Sequence, residues 1–209
     1  SATTVITRPR KCVVCFSMVM TEDYRMPQRL IIVTGLPGTG KTTLARELAA
    51  RLRVPLLAKD AIKEPLMSAL GASDRAQSRR LSDASFAVLF AMSQELLSWG
   101  LDVLIEGNFR PGEHEAALRA SSARIAQILC SIDERERLAR LASRASDPSR
   151  HAGHRDAEQA QLAVPAGADG FLDLPGARLR CTTQGSNSTH REALFSSLEA
   201  WWHATSRTV

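Results

Sequence analysis

Residues 30–42 of this 209-residue chain read LIIVTGLPGTGKT, a short apolar run that leads directly into a glycine-rich turn. The turn matches the pattern G-x-x-x-x-G-K-[ST] at every fixed position, and the pattern ends on Lys41 and Thr42. When it lies between a strand and a helix, this pattern cradles phosphate groups with main-chain N–H groups and the positive end of the helix. The stretch therefore predicts a binding site for a nucleoside triphosphate.

The same pattern predicts which residues contact the nucleotide. Lys41 is expected to reach the β- and γ-phosphates and so to serve catalysis, and the Thr42 hydroxyl is expected to ligate Mg²⁺. The expected cofactors are ATP and Mg²⁺. The predicted nucleotide-binding residues are Gly35, Leu36, Pro37, Gly38, Thr39, Gly40, Lys41, Thr42 and Thr43.

Outward from this stretch, strand-like and helix-like segments alternate. Alternation of this kind predicts an α/β fold in which a parallel sheet is covered by helices on both faces. The predicted strands cover residues 30–34, 54–58, 103–106, 124–130 and 179–182. The predicted helices cover residues 41–53, 61–70, 79–99, 133–144 and 191–203.

Composition places the chain among ordinary globular proteins. It has 27 Lys and Arg against 22 Asp and Glu, a net charge of +5, and 44% of its residues are hydrophobic. These values argue against wholesale disorder, collagen and coiled coil. We find no apolar run long enough for a membrane span. The four cysteines, with no second C-x-x-C pair, favour reduced thiols and a cytoplasmic location.

A phosphate-binding turn alone does not distinguish a GTPase, a motor ATPase and a kinase. The chain has no N-K-x-D segment, which a GTPase needs to read guanine, and its D-x-x-G match at 173–176 is far from the turn. Motor ATPases usually have a longer core. The size of the chain after residue 26 is typical of a nucleoside kinase.

Two acidic residues follow predicted strands, where ligands bind in sheets of this kind. Asp60 is either a general base that accepts the proton of an attacking hydroxyl, or the N-cap of the helix at 61–70, and one residue could do both. Glu106 either orients Mg²⁺ through water or contacts the substrate, or else it is a solvated carboxylate at the end of a strand.

Basic residues are candidates for binding the negatively charged nucleotide and substrate. Arg140 and Arg144 share a helix face, and we interpret them as catalytic residues of a lid that closes on the nucleotide. Arg135 and Arg137 fit a solvated, charged helix surface that pairs with Glu. Arg110 is a further candidate contact for an anionic substrate.

These motifs together resemble the small P-loop kinases, a group that includes gluconate kinase-like enzymes, chloramphenicol phosphotransferase, zeta toxins and polynucleotide 5′-kinases. The resemblance implies five parallel strands, ATP with Mg²⁺, and transfer of the γ-phosphoryl group to a hydroxyl. It supports Asp60 as the base and suggests Lys63 as a substrate contact. It also places residues 179–183 near the adenine, with Cys181 where relatives often have an acidic residue.

The predicted organisation is a poorly ordered extension over residues 1–25 and a kinase domain over residues 26–209, with a small mobile lid at about 133–156. A small hydroxylated metabolite is the favoured acceptor. Two alternatives stay open: a polynucleotide or nucleotide-sugar kinase, and a nucleotide-switched ATPase without an acceptor. Aromatic residues make up only 5% of the chain, so platforms for stacking single-stranded nucleic acid are sparse.

Overall fold

The computed structural model of the chain describes residues 27–71, 74–119, 121–146, 170–183 and 188–204. Within these ranges, strands and helices alternate along the chain. The strands are β1 (Arg29–Thr34), β2 (Leu56–Ala58), β3 (Val103–Glu106), β4 (Arg124–Ser131) and β5 (Ala177–Thr182). The helices are α1 (Lys41–Leu52), α2 (Lys59–Leu70), α3 (Arg75–Ser98), α4 (Glu115–Arg119), α5 (Glu134–Ala145) and α6 (Ser188–His203).

The strands form one parallel sheet in the order β2-β3-β1-β4-β5. The central strand is β1, whose Leu30 lies opposite Val103 on one side and Ile125 on the other. Because both faces of the sheet are covered, β1 is an almost continuous run of apolar residues, as parallel strands require. The prediction of an α/β fold with a five-stranded parallel sheet is confirmed.

Two apolar cores cover the two faces of the sheet. Ile31 and Val33 of β1 point into one core, and Leu30 and Ile32 point into the other, because successive side chains of a strand alternate. The first core is completed by α1 and α6, with Leu44, Leu48, Leu194, Phe195 and Leu198. The second is completed by α3 and α4, with Phe86, Leu89, Phe90, Leu97 and Leu118.

Some element boundaries differ from the predicted ones. Helix α3 begins at Arg75 rather than at residue 79, because the Asp74 side chain accepts a hydrogen bond from the Gln77 N–H and caps the helix. Strand β2 is shorter than predicted and begins at Leu56. Helix α4 was not predicted, since five residues are too few to show a helical period.

All strands run in the same direction, so their carboxyl ends lie at one edge of the sheet. Thr34, Ala58 and Glu106 end β1, β2 and β3 at this edge. Each of these strand ends leads into a segment that carries predicted site residues. The topology therefore brings together segments that are far apart in sequence.

Part of the predicted organisation lies outside the described residues. This applies to the extension at 1–25 and to residues 147–156 of the predicted lid. Across the ranges that the structure describes, none of the helices is both long and apolar enough to cross a membrane.

Candidate active site

The turn between β1 and α1, called here the phosphate loop (residues 35–42), depends on its glycines. Gly35, Gly38 and Gly40 have φ angles of +144°, +91° and +78°, which side-chain-bearing residues rarely adopt. A Cβ atom at Gly35 would also lie 2.4 Å from the Cys130 carbonyl oxygen. Thr39 closes the turn, since its N–H and its hydroxyl both donate to the Leu36 carbonyl, at 3.2 and 2.8 Å.

The phosphate loop opens onto a cleft of about 350 Å³, called here the main cleft. It lies at the carboxyl edge of the sheet, where α1, α2 and the segment after β3 meet. The lining is dominated by charged side chains. The cations are Lys41, Arg46, Lys59, Lys63 and Arg144, and the acids are Asp60, Glu64 and Glu106.

Glu106 lies at the bottom of the main cleft and is 2% exposed. The Thr42 hydroxyl donates a hydrogen bond to its Oε2 atom over 3.2 Å. Burial raises the pKa of the Glu106 carboxyl and nearby Asp60 adds to this effect, while Lys41, the Thr42 hydrogen bond and Lys59 oppose it. The prediction of a solvated strand-end carboxylate is therefore wrong.

Thr42 and Glu106 suit a magnesium ion. Both present hard oxygen atoms, which Mg²⁺ prefers, and the ion usually takes only one or two protein ligands beside phosphate and water. A buried carboxylate whose ionised form is penalised by desolvation would also be stabilised by a divalent cation. The pair thus fits the metal that the sequence predicts.

Asp60 also lines the main cleft, on the first turn of α2. The N-cap position of α2 is Ala58, with no side-chain cap, so the alternative interpretation of Asp60 as the N-cap is wrong. The Nζ atom of Lys59 lies 3.0 Å from Asp60 Oδ1. Because Lys59 is only 6% exposed, this contact holds the carboxylate from the protein side.

Lys63 follows Asp60 by almost one helical turn and lines the same cleft. Its ammonium group donates to the Ser78 hydroxyl of α3 over 3.0 Å. This contact ties the Lys63 side chain of α2 to α3. The structure therefore brings Asp60, Lys63 and Glu106 together around one cleft.

The two predicted lid arginines line different cavities. Arg144 lines the main cleft, whereas Arg140 lines a second cavity of about 190 Å³ beside Gly40 of the phosphate loop. Arg140 donates to Glu136 Oε1 over 2.6 Å and to the Thr183 carbonyl over 3.0 Å. The remaining residues around the second cavity are Gly40, Thr43, Leu44, Cys181, Thr182, Thr183 and Arg191.

Arg110 is not among the residues that line either cavity. Its guanidinium group pairs with Asp83 of α3 at 3.1 Å and with Glu113 at 2.5 Å. The structure thus does not bring Arg110 together with Asp60 and Lys63.

One residue near the site has an environment that sequence reasoning missed. Arg137 was expected on a solvated helix surface, but it is 1% exposed and contacts the phosphate loop from the side of α5. Its pairing with Glu134 agrees with the expected ion pairs, whereas its burial does not. An arginine on a strongly charged helix is usually solvated, so no signal in the sequence distinguished it.

The chain matches the AAA domain family over residues 30–165, which include the phosphate loop, α2, the Glu106 strand and α5. The match spans well over half of the sequence. The chain belongs to this family, which is a P-loop kinase family. The predicted resemblance to small P-loop kinases is confirmed.

Individual relatives agree with this assignment to the P-loop kinases. A candidate kinase from Chloroflexus aurantiacus is 31% identical in sequence, with a TM-score of 0.75, and the match covers 84% of this chain and 98% of that protein. The cytidylate kinase of Pyrobaculum neutrophilum is 34% identical over 82 residues, which is 38% of this chain and 44% of that relative. The chain thus matches less than half of the length of this curated relative.

A more distant structure shares the fold alone. The APS kinase of Mycobacterium tuberculosis, solved with AMPPNP and APS, has a TM-score of 0.50 and 17% identity over 83% of this chain. The family match and the Chloroflexus relative, and not this likeness, identify the protein as a P-loop NTPase of the kinase type.

Proposed function

We propose that this protein transfers the γ-phosphoryl group of ATP to a hydroxyl group of a small-molecule acceptor. The observation that carries the proposal is the arrangement of the main cleft. Lys41 and Thr42, at the phosphate loop, line this cleft together with Asp60, which lies on the first turn of α2. Phosphoryl transfer to a hydroxyl needs a nucleotide-binding site and a carboxylate base that face the same cleft.

On the nucleotide side, the main-chain N–H groups of residues 35–42 bind the phosphates, and Lys41 neutralises charge on the γ-phosphoryl group. Thr42 and Glu106 hold Mg²⁺, which when bound neutralises charge on the phosphate oxygens. The second cavity lies beside the phosphate loop at Gly40 and Thr43. We assign it to the nucleotide base, in line with the resemblance of residues 179–183 to the adenine-binding stretch.

On the acceptor side, the Asp60 carboxylate accepts the proton of the acceptor hydroxyl. The hydroxyl oxygen forms a bond to the γ-phosphorus, the bond from that phosphorus to the bridging oxygen breaks, and ADP leaves. Lys59 orients Asp60 through the 3.0 Å contact. Lys63 binds an oxygen atom of the acceptor from the same helix. Arg144, which also lines the main cleft, stabilises charge that develops during transfer.

The aromatic residues of the chain support a small acceptor without an aromatic base. Among the described residues, none of the Phe or Trp side chains lines the main cleft. Phe86 comes close, beneath Gly107, but it is 2% exposed and packs with Phe90 and Phe109 in the core. Stacking on an aromatic ring is the usual way to hold an unpaired base. Charged and polar side chains instead favour a hydroxylated, polar acceptor.

An acceptor panel tests this proposal. Purified protein with Mg²⁺ and ATP is incubated with sugars, polyols, hydroxy acids, CMP and an oligonucleotide that has a free 5′-hydroxyl, and ADP release and new phosphate esters are measured. We expect acceptor-dependent ADP release with at least one sugar, polyol or hydroxy acid, and loss of that release in Asp60→Asn. Phosphorylation of CMP or the oligonucleotide alone would support the alternative kinases. ATP hydrolysis that no acceptor stimulates would support a nucleotide-switched ATPase.

A further inference from the structure

A fully buried guanidinium group lies directly behind the phosphate loop. Arg137 of α5 is 1% exposed and belongs to the largest fully buried side chains among the described residues. Burial of an arginine costs free energy unless each part of its charge is paired or hydrogen-bonded. The partners of Arg137 therefore show what the burial achieves.

The first partner of Arg137 is Glu134, one turn earlier on α5. The Nε and Nη2 atoms of Arg137 donate to Oε2 and Oε1 of Glu134, each over 2.7 Å. Two parallel charge-assisted bonds fix the plane of the guanidinium group. Because the plane is fixed, the directions of the Nη1 N–H groups are also fixed.

The Nη1 atom of Arg137 contacts the main chain of the phosphate loop. Nη1 of Arg137 donates to the Pro37 carbonyl oxygen over 3.3 Å. The next residue, Gly38, packs so closely that a Cβ atom there would lie 3.1 Å from Arg137 Cγ and 3.2 Å from the Arg137 carbonyl oxygen. Hence both the main chain and the side chain of Arg137 in α5 contact the phosphate loop at Pro37 and Gly38.

The other half of the loop is tied separately. The Thr183 hydroxyl donates to the Thr39 carbonyl over 2.6 Å, and Arg140 donates to the Thr183 carbonyl over 3.0 Å. These contacts involve the end of β5, and Arg137 takes no part in them. A loss of the Arg137 contact would therefore affect the first half of the loop while the second half stays held.

We propose that Arg137 is a positioning residue that orients the Pro37–Gly38 peptide for phosphate binding. This inference rests on the proposed nucleotide site. The structure contains no cis peptide bonds in its described residues, and a trans peptide holds its C=O and N–H groups on opposite sides. Anchoring the Pro37 carbonyl on Arg137 thus directs the Gly38 N–H away from α5 and toward the bound phosphates. The loop is then ordered before the nucleotide arrives, which lowers the entropic cost of binding.

The test measures the affinity for Mg²⁺ and AMPPNP by calorimetry, so that no acceptor is needed. Arg137→Leu removes all the donors but keeps an apolar side chain, and we expect the Kd to rise about tenfold. Arg137→Lys retains one ammonium donor and should recover part of the affinity. The matched control is Arg135→Leu, the same change at an exposed position of the same helix, and its Kd should equal that of the wild type.

The outcomes separate positioning from packing. If Arg137→Leu lowers the melting temperature but leaves the Kd unchanged, Arg137 only stabilises the fold and the proposal is wrong. If Arg137→Leu does not fold, Glu134→Gln decides, because Glu134 is 53% exposed in its side chain and the change only loosens the guanidinium plane. A rise of about threefold in the Kd of Glu134→Gln for AMPPNP supports the proposal, and an unchanged Kd overturns it. A wild-type protein that does not bind AMPPNP would instead refute the proposed function.

Discussion

The two sides of the main cleft are built differently. On the phosphate side, the groups that bind are main-chain N–H groups, and the loop that carries them is tied from behind by Arg137 and Thr183. On the side that we propose for the acceptor, the candidate binding groups are side chains of α2, among them Asp60 and Lys63. A main-chain site needs a particular backbone shape, so it leaves a recognisable glycine pattern. A side-chain site can change with each substitution, so it determines the acceptor without leaving a common pattern.

The largest effect is expected from Lys41→Ala, which acts on the phosphate side. Loss of the ammonium group should lower kcat/KM about 10⁴-fold, because both nucleotide binding and charge stabilisation in the transition state are affected. Steady-state kinetics with the acceptor identified by the panel measures this. Arg46→Ala, on the same helix and in the same cleft, is the control and should lose far less. Equal losses in the two variants would mean that the cleft needs positive charge but no particular residue.

Asp60→Asn should have the next largest effect on activity, and it should affect phosphoryl transfer but not nucleotide binding. A missing general base lowers kcat about 10²–10⁴-fold, while the Kd for AMPPNP stays at the wild-type value because Asp60 lies outside the phosphate loop. Glu64→Gln provides the matched control, since Glu64 lines the same cleft one turn further along α2. Near-normal transfer by Asp60→Asn would show that another group accepts the proton.

A smaller effect is expected from Arg140 and Arg144 of α5, which line different cavities. Arg144→Ala should lower kcat about 10–100-fold, because Arg144 lines the main cleft. Arg140→Ala should mainly raise the KM for ATP, because Arg140 lines the second cavity and holds Thr183. Kinetics at varied ATP concentration distinguishes the two. If both variants lose only kcat, the assignment of separate roles is wrong.

The smallest effect concerns the stability of the nucleotide-free protein and comes from Glu106. Burial raises the pKa of this carboxyl above 4.5, so the protein should lose stability as the pH rises through the folded-state pKa. Glu106→Gln removes this loss. If the substitution raises the free energy of unfolding by about 1 kcal/mol, the melting temperature at a pH above the folded-state pKa of Glu106 should rise by about 2–4 °C.

The same substitution should weaken magnesium-dependent binding of AMPPNP, since the amide cannot replace an ionised ligand. Thermal unfolding between pH 4 and 8, with and without Mg²⁺ and AMPPNP, measures both effects. Glu95→Gln, at an exposed position of α3, should change neither. A lower melting temperature for Glu106→Gln at neutral pH would contradict the argument from burial.

The sequence was informative where structure depends on neighbouring residues. The strand at Leu30, the glycines of the phosphate loop and the alternation of strands and helices that gives a parallel sheet follow from local patterns. The position of Asp60 after β2 also placed it at the correct edge of the sheet. These features needed no knowledge of which helices pack together.

The rest depended on tertiary contacts. Arg137 is buried because α5 packs against the phosphate loop, about 100 residues earlier in the chain, and its charge gave no sign of this contact. Arg110 was a reasonable candidate because it follows the Glu106 strand, yet Asp83 of α3 draws it into an ion pair elsewhere. Arg140 and Arg144 share one helix face, but they line two different cavities.

The most direct test of the account is calorimetric titration of AMPPNP, with and without Mg²⁺, into the wild type, Lys41→Ala and Asp60→Asn. We predict magnesium-dependent binding to the wild type, equally tight binding to Asp60→Asn, and strongly weakened binding to Lys41→Ala. Absence of magnesium-dependent binding in the wild type, or a similar loss of affinity in both variants, would contradict the division of the cleft into a nucleotide side and an acceptor side.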